Sequence, residues 1–245
     1  MKILYTHLKD QWKRMRLYLI ILYILYAILL LLQSGRLDSS PVYTRGFIEP
    51  NTFMMIDYST YFYYLLIGLS FGCILYLIVS ANSYRQGKTR WLLLMRHQTT
   101  FLLGDLIFLF LILLLLYLIP YVILYFDYTG YVKELSEVGA TFSQEQKTFS
   151  LMLENAQYLS FAYSNLLFGI LYLFTISLGC ISFLSIMRTI KQNRSYIFIL
   201  VSSLLIVPYI ILQDTYILTL VILLCYNLSF LYIIKHTCTR KEIGG

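Results

Sequence analysis

Six runs of apolar residues, each broken by few polar positions, dominate the chain at about 17–32, 61–81, 101–126, 161–187, 196–212 and 216–234. Each approaches the ~20 residues that a helix needs to cross ~30 Å of hydrocarbon. None alternates with a period of two, as a barrel strand would. In lipid each backbone N–H and C=O must find its partner within the segment, so the runs predict transmembrane helices. The predicted fold class is an all-α integral membrane protein, with residues 1–245 forming a single transmembrane domain of six spans. The first sixteen residues, "MKILYTHLKDQWKRMR", place Ile3, Leu4, His7, Leu8, Gln11, Trp12 and Met15 on one helical side and crowd Lys2, Lys9, Lys13, Arg14 and Arg16 elsewhere. That pattern predicts an interfacial amphipathic helix over 1–16, with Trp12 among the headgroups and its cations towards anionic lipid. Between the third and fourth runs, Ser143 and Gln146 form a capping box ahead of Phe149, Met152, Leu153 and Ala156 at helical spacing. A short amphipathic helix is predicted there.

Composition agrees with a membrane chain: 59% of the 245 residues are hydrophobic and 13% charged, against roughly 25% charged in soluble domains. No small-residue cleavage site follows the first run, which is therefore expected to stay in the mature chain. The net charge of +7 does not form a nucleic-acid face, because the cations sit beside the ends of the apolar runs. Lys2, Lys9, Lys13, Arg14, Arg16, Arg85, Lys88, Arg90, Arg96, Arg188, Lys191, Arg194, Lys235, Arg240 and Lys241 fall on one side, and Arg36, Arg45, Lys133 and Lys147 on the other. Positive-inside bias then predicts that both termini are cytoplasmic.

Intramembrane catalysis and ion coupling rely on ionisable groups within the spans. Asp105 is the only charged residue in the six runs, and His7, His97 and His236 all fall outside them. There is no HExxH, no histidine cluster with ligand spacing and no CxxC pair among Cys73, Cys180, Cys225 and Cys238. No catalytic, cofactor or metal residue is therefore assigned. The neutral small and polar residues within the runs include Gly68, Gly72, Asn165, Gly169, Thr175, Gly179 and Asn227. They suit close helix packing, as the spacing of Gly68 and Gly72 does, or the lining of a pathway. Pro120 and Pro208 stand where a helix would end or kink.

The segment "YRQGKTRWLLLMRHQTTFLLGD", residues 84–105, holds Gly87-Lys88-Thr89, the tail of a phosphate-binding loop. The glycine needed five positions before Gly87 is Asn82, and an apolar run precedes the segment where a strand would be required, so it is no nucleotide site. Its pattern instead sets Trp91, Leu94 and Met95 on an apolar side flanked by Arg85, Lys88, Arg90 and Arg96, a short amphipathic helix between spans two and three. The succession Arg85 to Met95 followed by Phe101-Leu102-Leu103-Gly104-Asp105-Leu106 resembles the connection between spans two and three of ABC-2-type transporter permeases. The leader, six spans and internal termini resemble that family's plan over the whole chain, and the small permeases of bacteriocin export or immunity systems in particular.

The resemblance implies a permease subunit of an ATP-driven exporter in a bacterial cell membrane. Arg85, Gly87, Lys88, Arg90, Trp91, Leu94, Met95 and Arg96 would form the coupling helix seated on a cytosolic ATPase. Arg188, Lys191 and Arg194 would make a second contact. It further implies a second permease copy or a homologous one, with ATP and Mg bound by the ATPase dimer and no cofactor in this chain. An uncharged interior suits a hydrophobic peptide, a lipid or an amphiphile. The alternatives are a non-transporting membrane anchor or sensor that recruits a cytosolic partner, and an enzyme acting through the carboxylates of the outer loops.

Overall fold

The computed structural model describes residues 2–34, 58–86, 98–137, 149, 166–189 and 224–232, and all of these are helical. They comprise α1 (Lys2–Ser34), α2 (Tyr58–Gln86), α3 (Gln98–Glu137) and α4 (Leu166–Thr189), with a fifth helix, α5, over 224–232. Among the described residues, three apolar stretches are long enough to cross a membrane: Ile3–Leu32, Tyr63–Ser80 and Thr100–Gly130. Gly169–Leu184 in α4 is a shorter one. The run at 196–212 and Pro208 lie outside the described residues, as does the helix expected after Ser143 except for Phe149, which is helical.

Two elements differ from the sequence expectation. The leader is not a separate helix: α1 runs unbroken from Lys2 to Ser34. Nothing between Met15 and Tyr18 would end it, since that stretch has neither glycine nor proline nor a capping residue. Pro120 neither ends nor interrupts α3, which continues to Glu137. A proline inside an apolar helix removes one backbone bond, and membrane helices tolerate it where neighbouring groups satisfy the freed carbonyl.

The helices contribute to two compact units. The first comprises residues 1–20, 71–114 and 170–245. Here α1 buries His7, Gln11, Met15 and Leu19 at four-residue spacing, and α3 buries Leu102, Asp105, Leu109 and Ile112 at alternating steps of three and four. Both are seams of the kind that helix packing produces. Tyr76 of α2 meets Phe108 of α3 at 6.5 Å between ring centroids, and Phe110 of α3 meets Phe174 of α4 edge-on at 6.4 Å. Leu178 of α4 and Phe230 of α5 form a buried pair against which Leu106, Phe183 and Tyr226 pack. Residues 175–182 of α4 are buried without exception, so the helix is covered on every side there. That stretch supplies small side chains, and the hydroxyls of Thr175, Ser177 and Ser182 donate to the carbonyls of Leu171, Leu173 and Leu178 four residues back. Each hydroxyl is thereby satisfied within its own helix.

The second unit comprises residues 21–70 and 115–169. In it Gly68 of α2 accommodates the ring of Tyr26 of α1: a Cβ at position 68 would lie 2.7 Å from Tyr26 Cε2 and Cζ. Phe149 is surrounded by Tyr121, Tyr125 and Tyr128 of α3, with centroids 5.4, 5.4 and 5.5 Å away. Edge-on and tilted rings at such distances are a favourable aromatic arrangement.

Candidate functional site

The first turns of α1 and α3 bring together a carboxylate, an imidazole and an amide. Asp105 occupies a position of the buried α3 seam that its neighbours Leu102 and Leu109 fill with leucine, and it is 0% exposed. An ionised carboxylate so placed costs several kcal/mol unless it is paired and hydrogen-bonded. The α1 helix supplies both remedies. His7 Nε2 lies 2.7 Å from Asp105 Oδ1, and Gln11 Nε2 donates to the same oxygen at 3.0 Å. His7 and Gln11 are four residues apart, so a helix stacks them on one face. They are 8% and 5% exposed.

Two residues of α3 shape the seat. The edge of the His7 ring meets Phe101 at 4.8 Å and 86°. Gly104 faces His7 and Leu4 so closely that a Cβ would stand 2.7 Å from His7 Cδ2 and 3.1 Å from Leu4 Cδ1. Glycine at 104 is thus what allows the imidazole to reach the carboxylate of the next residue. The cluster can do two things chemically. It clamps α1 to α3 through charge-assisted hydrogen bonds, each worth about 1.5–3 kcal/mol where a charged group takes part, and it can hold a proton between imidazole and carboxylate. Among the described residues no group of three or more His, Cys, Asp or Glu side chains comes together.

The residues singled out from sequence are distributed unevenly. Thr175 of α4 and Asn227 of α5 are joined, Asn227 Nδ2 donating to Thr175 Oγ1 at 3.0 Å with both residues buried. Gly72, Gly169 and Gly179 are buried within their helices and Gly68 lies under Tyr26. Arg85 falls in the last turn of α2 and Arg188 in the last turn of α4. Gly87, Lys88, Arg90, Trp91, Leu94, Met95 and Arg96 lie outside the described residues, as do Asn165, Lys191 and Arg194.

Sequence reasoning noticed Asp105 as the lone charge in the runs but did not find its partners. It assigned the side of α1 bearing His7, Gln11 and Met15 to the headgroups, whereas that side is buried and Trp12 stands half exposed beside it. The available signal was a polar pair at i and i+4 upstream of a run, together with one unpaired acid at the start of another.

No known family model, curated protein or solved structure matches the chain. The described residues are all helical, and among them three helices are long and apolar enough to cross a membrane, two of which are joined through a buried carboxylate.

Proposed function

We propose that the chain is a membrane-spanning permease subunit of an ATP-driven ABC exporter, with six spans and both termini in the cytoplasm of a bacterial cell. It works beside a second permease, identical or homologous, and a dimer of cytosolic ATPase subunits that bind ATP and Mg. The cargo is a hydrophobic peptide, a lipid or an amphiphilic compound. The observation that carries this reading is the resemblance of the segment from Arg85 to Leu106 to a permease coupling connection, and the position of that segment in the chain. The connection runs directly into α3, whose second turn is clamped to α1 by Asp105. A force applied to the connection would therefore reach two helices together, as coupling between ATPase closure and rearrangement of the spans requires.

A non-transporting anchor is the rival. It is favoured by the exposed cations Lys9, Lys13 and Arg16, which recur on the α1 face opposite His7 and Gln11 and could recruit an acidic partner. One experiment separates the two. The protein is solubilised in mild detergent from its native membrane and captured, and ATP hydrolysis is assayed on the eluate for the wild type and for Gly87→Asp and Trp91→Asp. The permease reading expects co-eluting activity that either substitution reduces at least about tenfold, the effect of ~1.4 kcal/mol at the contact. A partner that elutes without hydrolysis, or activity indifferent to both substitutions, would favour the anchor.

A further inference from the structure

The first turns of α1 have one side committed to α3 through His7 and Gln11, which turns the opposite side outward. On that side Lys9, Lys13, Arg16 and Ile20 follow one another at steps of four, three and four, a single stripe at helical spacing, and all four are exposed. Among the described residues none of the three cations takes part in an ion pair. Trp12 stands three residues after Lys9 and four before Arg16, so it neighbours both, and it is half exposed. Leu17 and Tyr18 are exposed beside Ile20. The stripe thus offers positive charge and, within one further turn, apolar surface. A soluble acidic partner would match the cations alone. An anionic phospholipid matches both parts, with its headgroup at the cations and its acyl chains beginning at Ile20. The seven residues from Lys9 to Arg16 rise about 10 Å, which long basic side chains can bring to a headgroup layer some 5–7 Å deep. The amphipathic ring of Trp12 suits the same layer.

We propose that Lys9, Lys13 and Arg16 of α1 form a binding site for the headgroup of an anionic phospholipid, with Trp12 at its edge. The site differs from the flat leader that the sequence pattern predicts. Here the leader is one helix with the span, and it offers lipid a single charged stripe instead of lying along the surface. The site requires that α1 crosses a bilayer and does not depend on the permease reading, so its failure would leave that reading where it stands.

The chain provides its own reporter, since Trp12 and Trp91 are its two tryptophans. The full chain carrying Trp91→Phe is reconstituted into phosphatidylcholine vesicles with a minority of phosphatidylglycerol, and bromine is placed on the acyl chains of one lipid or the other in equal amount. Quenching of Trp12 by each brominated lipid gives the relative association of the two lipids with the stripe. The expected preference for phosphatidylglycerol is at least about fivefold, which is what one cation contributes near an anionic surface. Arg16→Gln should lower the preference severalfold, and Arg16→Lys should keep it. Arg14 lies at nearly the same depth but is turned about 160° away from Arg16. Arg14→Gln removes the same charge and should leave the preference as it is. Equal quenching by the two lipids overturns the proposal and returns the three cations to the acidic partner of the anchor reading. A loss in Arg14→Gln as large as that in Arg16→Gln also overturns it, because a diffuse positive field would then account for the preference. Circular dichroism checks that helical content is equal throughout. Should Arg16→Gln lose helix, Lys13→Gln takes its place with the same outcomes.

Discussion

At Gly68 even a methyl group would press into the ring of Tyr26, at 2.7 Å from two of its carbons. The ring is buried and cannot retreat cheaply, and its hydroxyl has no hydrogen-bond partner among the described residues. Gly68→Ala should therefore destabilise the protein by about 1–3 kcal/mol, the usual penalty for overpacking a filled core. Tyr26→Leu in the same chain should recover part of that loss, because the shorter side chain vacates the space the methyl needs. Thermal unfolding in detergent of the two single variants and the double variant tests this; strict additivity would mean that the two residues do not touch. The spacing of Gly68 and Gly72 was legible in the sequence as a helix-packing signal, but its counterpart was not, since Tyr26 read as one more apolar position in a run. Gly104 shows the same limit more sharply. It looked like part of a coupling motif, and its proximity to His7 depends on a contact between residues 97 positions apart in the chain.

At the scale of elements, a side-chain hydrogen bond from Asn227 to Thr175 joins α4 and α5 in addition to apolar contact. Such bonds between membrane helices are worth about 0.6 kcal/mol on average and up to about 1.7. Asn227→Leu should cost about that much in stability, because Thr175 keeps its bond to the Leu171 carbonyl while the link from Asn227 is lost. An unchanged denaturation midpoint would show that the link is idle. The locations of the described helices were easy to read from the sequence and their ends were not. The expected boundary after Arg16 rested on crowded charge, which does not stop a helix, and the expected end near Pro120 rested on a residue that weakens a helix without terminating it where neighbours take over the freed carbonyl. Composition shows what a helix prefers to touch; only backbone chemistry decides where it stops.

For the whole molecule, the outward side chains are as telling as the buried ones. Leu17, Leu25 and Leu32 of α1, Phe71 of α2 and Phe126 of α3 are all well exposed. Water would penalise each such side chain by about 1.5–3 kcal/mol, and hydrocarbon would not. The protein should accordingly stay in the pellet when membranes are washed with alkaline carbonate and enter solution only with detergent; release by carbonate alone would contradict a spanning chain. The clamp at Asp105 has one more consequence. Leucine seams tolerate sliding, because one leucine replaces another at each turn. If α1 slid along α3 by one turn, either Ile3 or Met15 would stand where a donor now meets the carboxylate. One of the two hydrogen bonds would then be lost in a dry environment. A single buried acid thus fixes the register of two otherwise slippery helices, a role for which buried polar groups are well attested. When the chain assembles, α1 and α3 have a single alignment in which to stop.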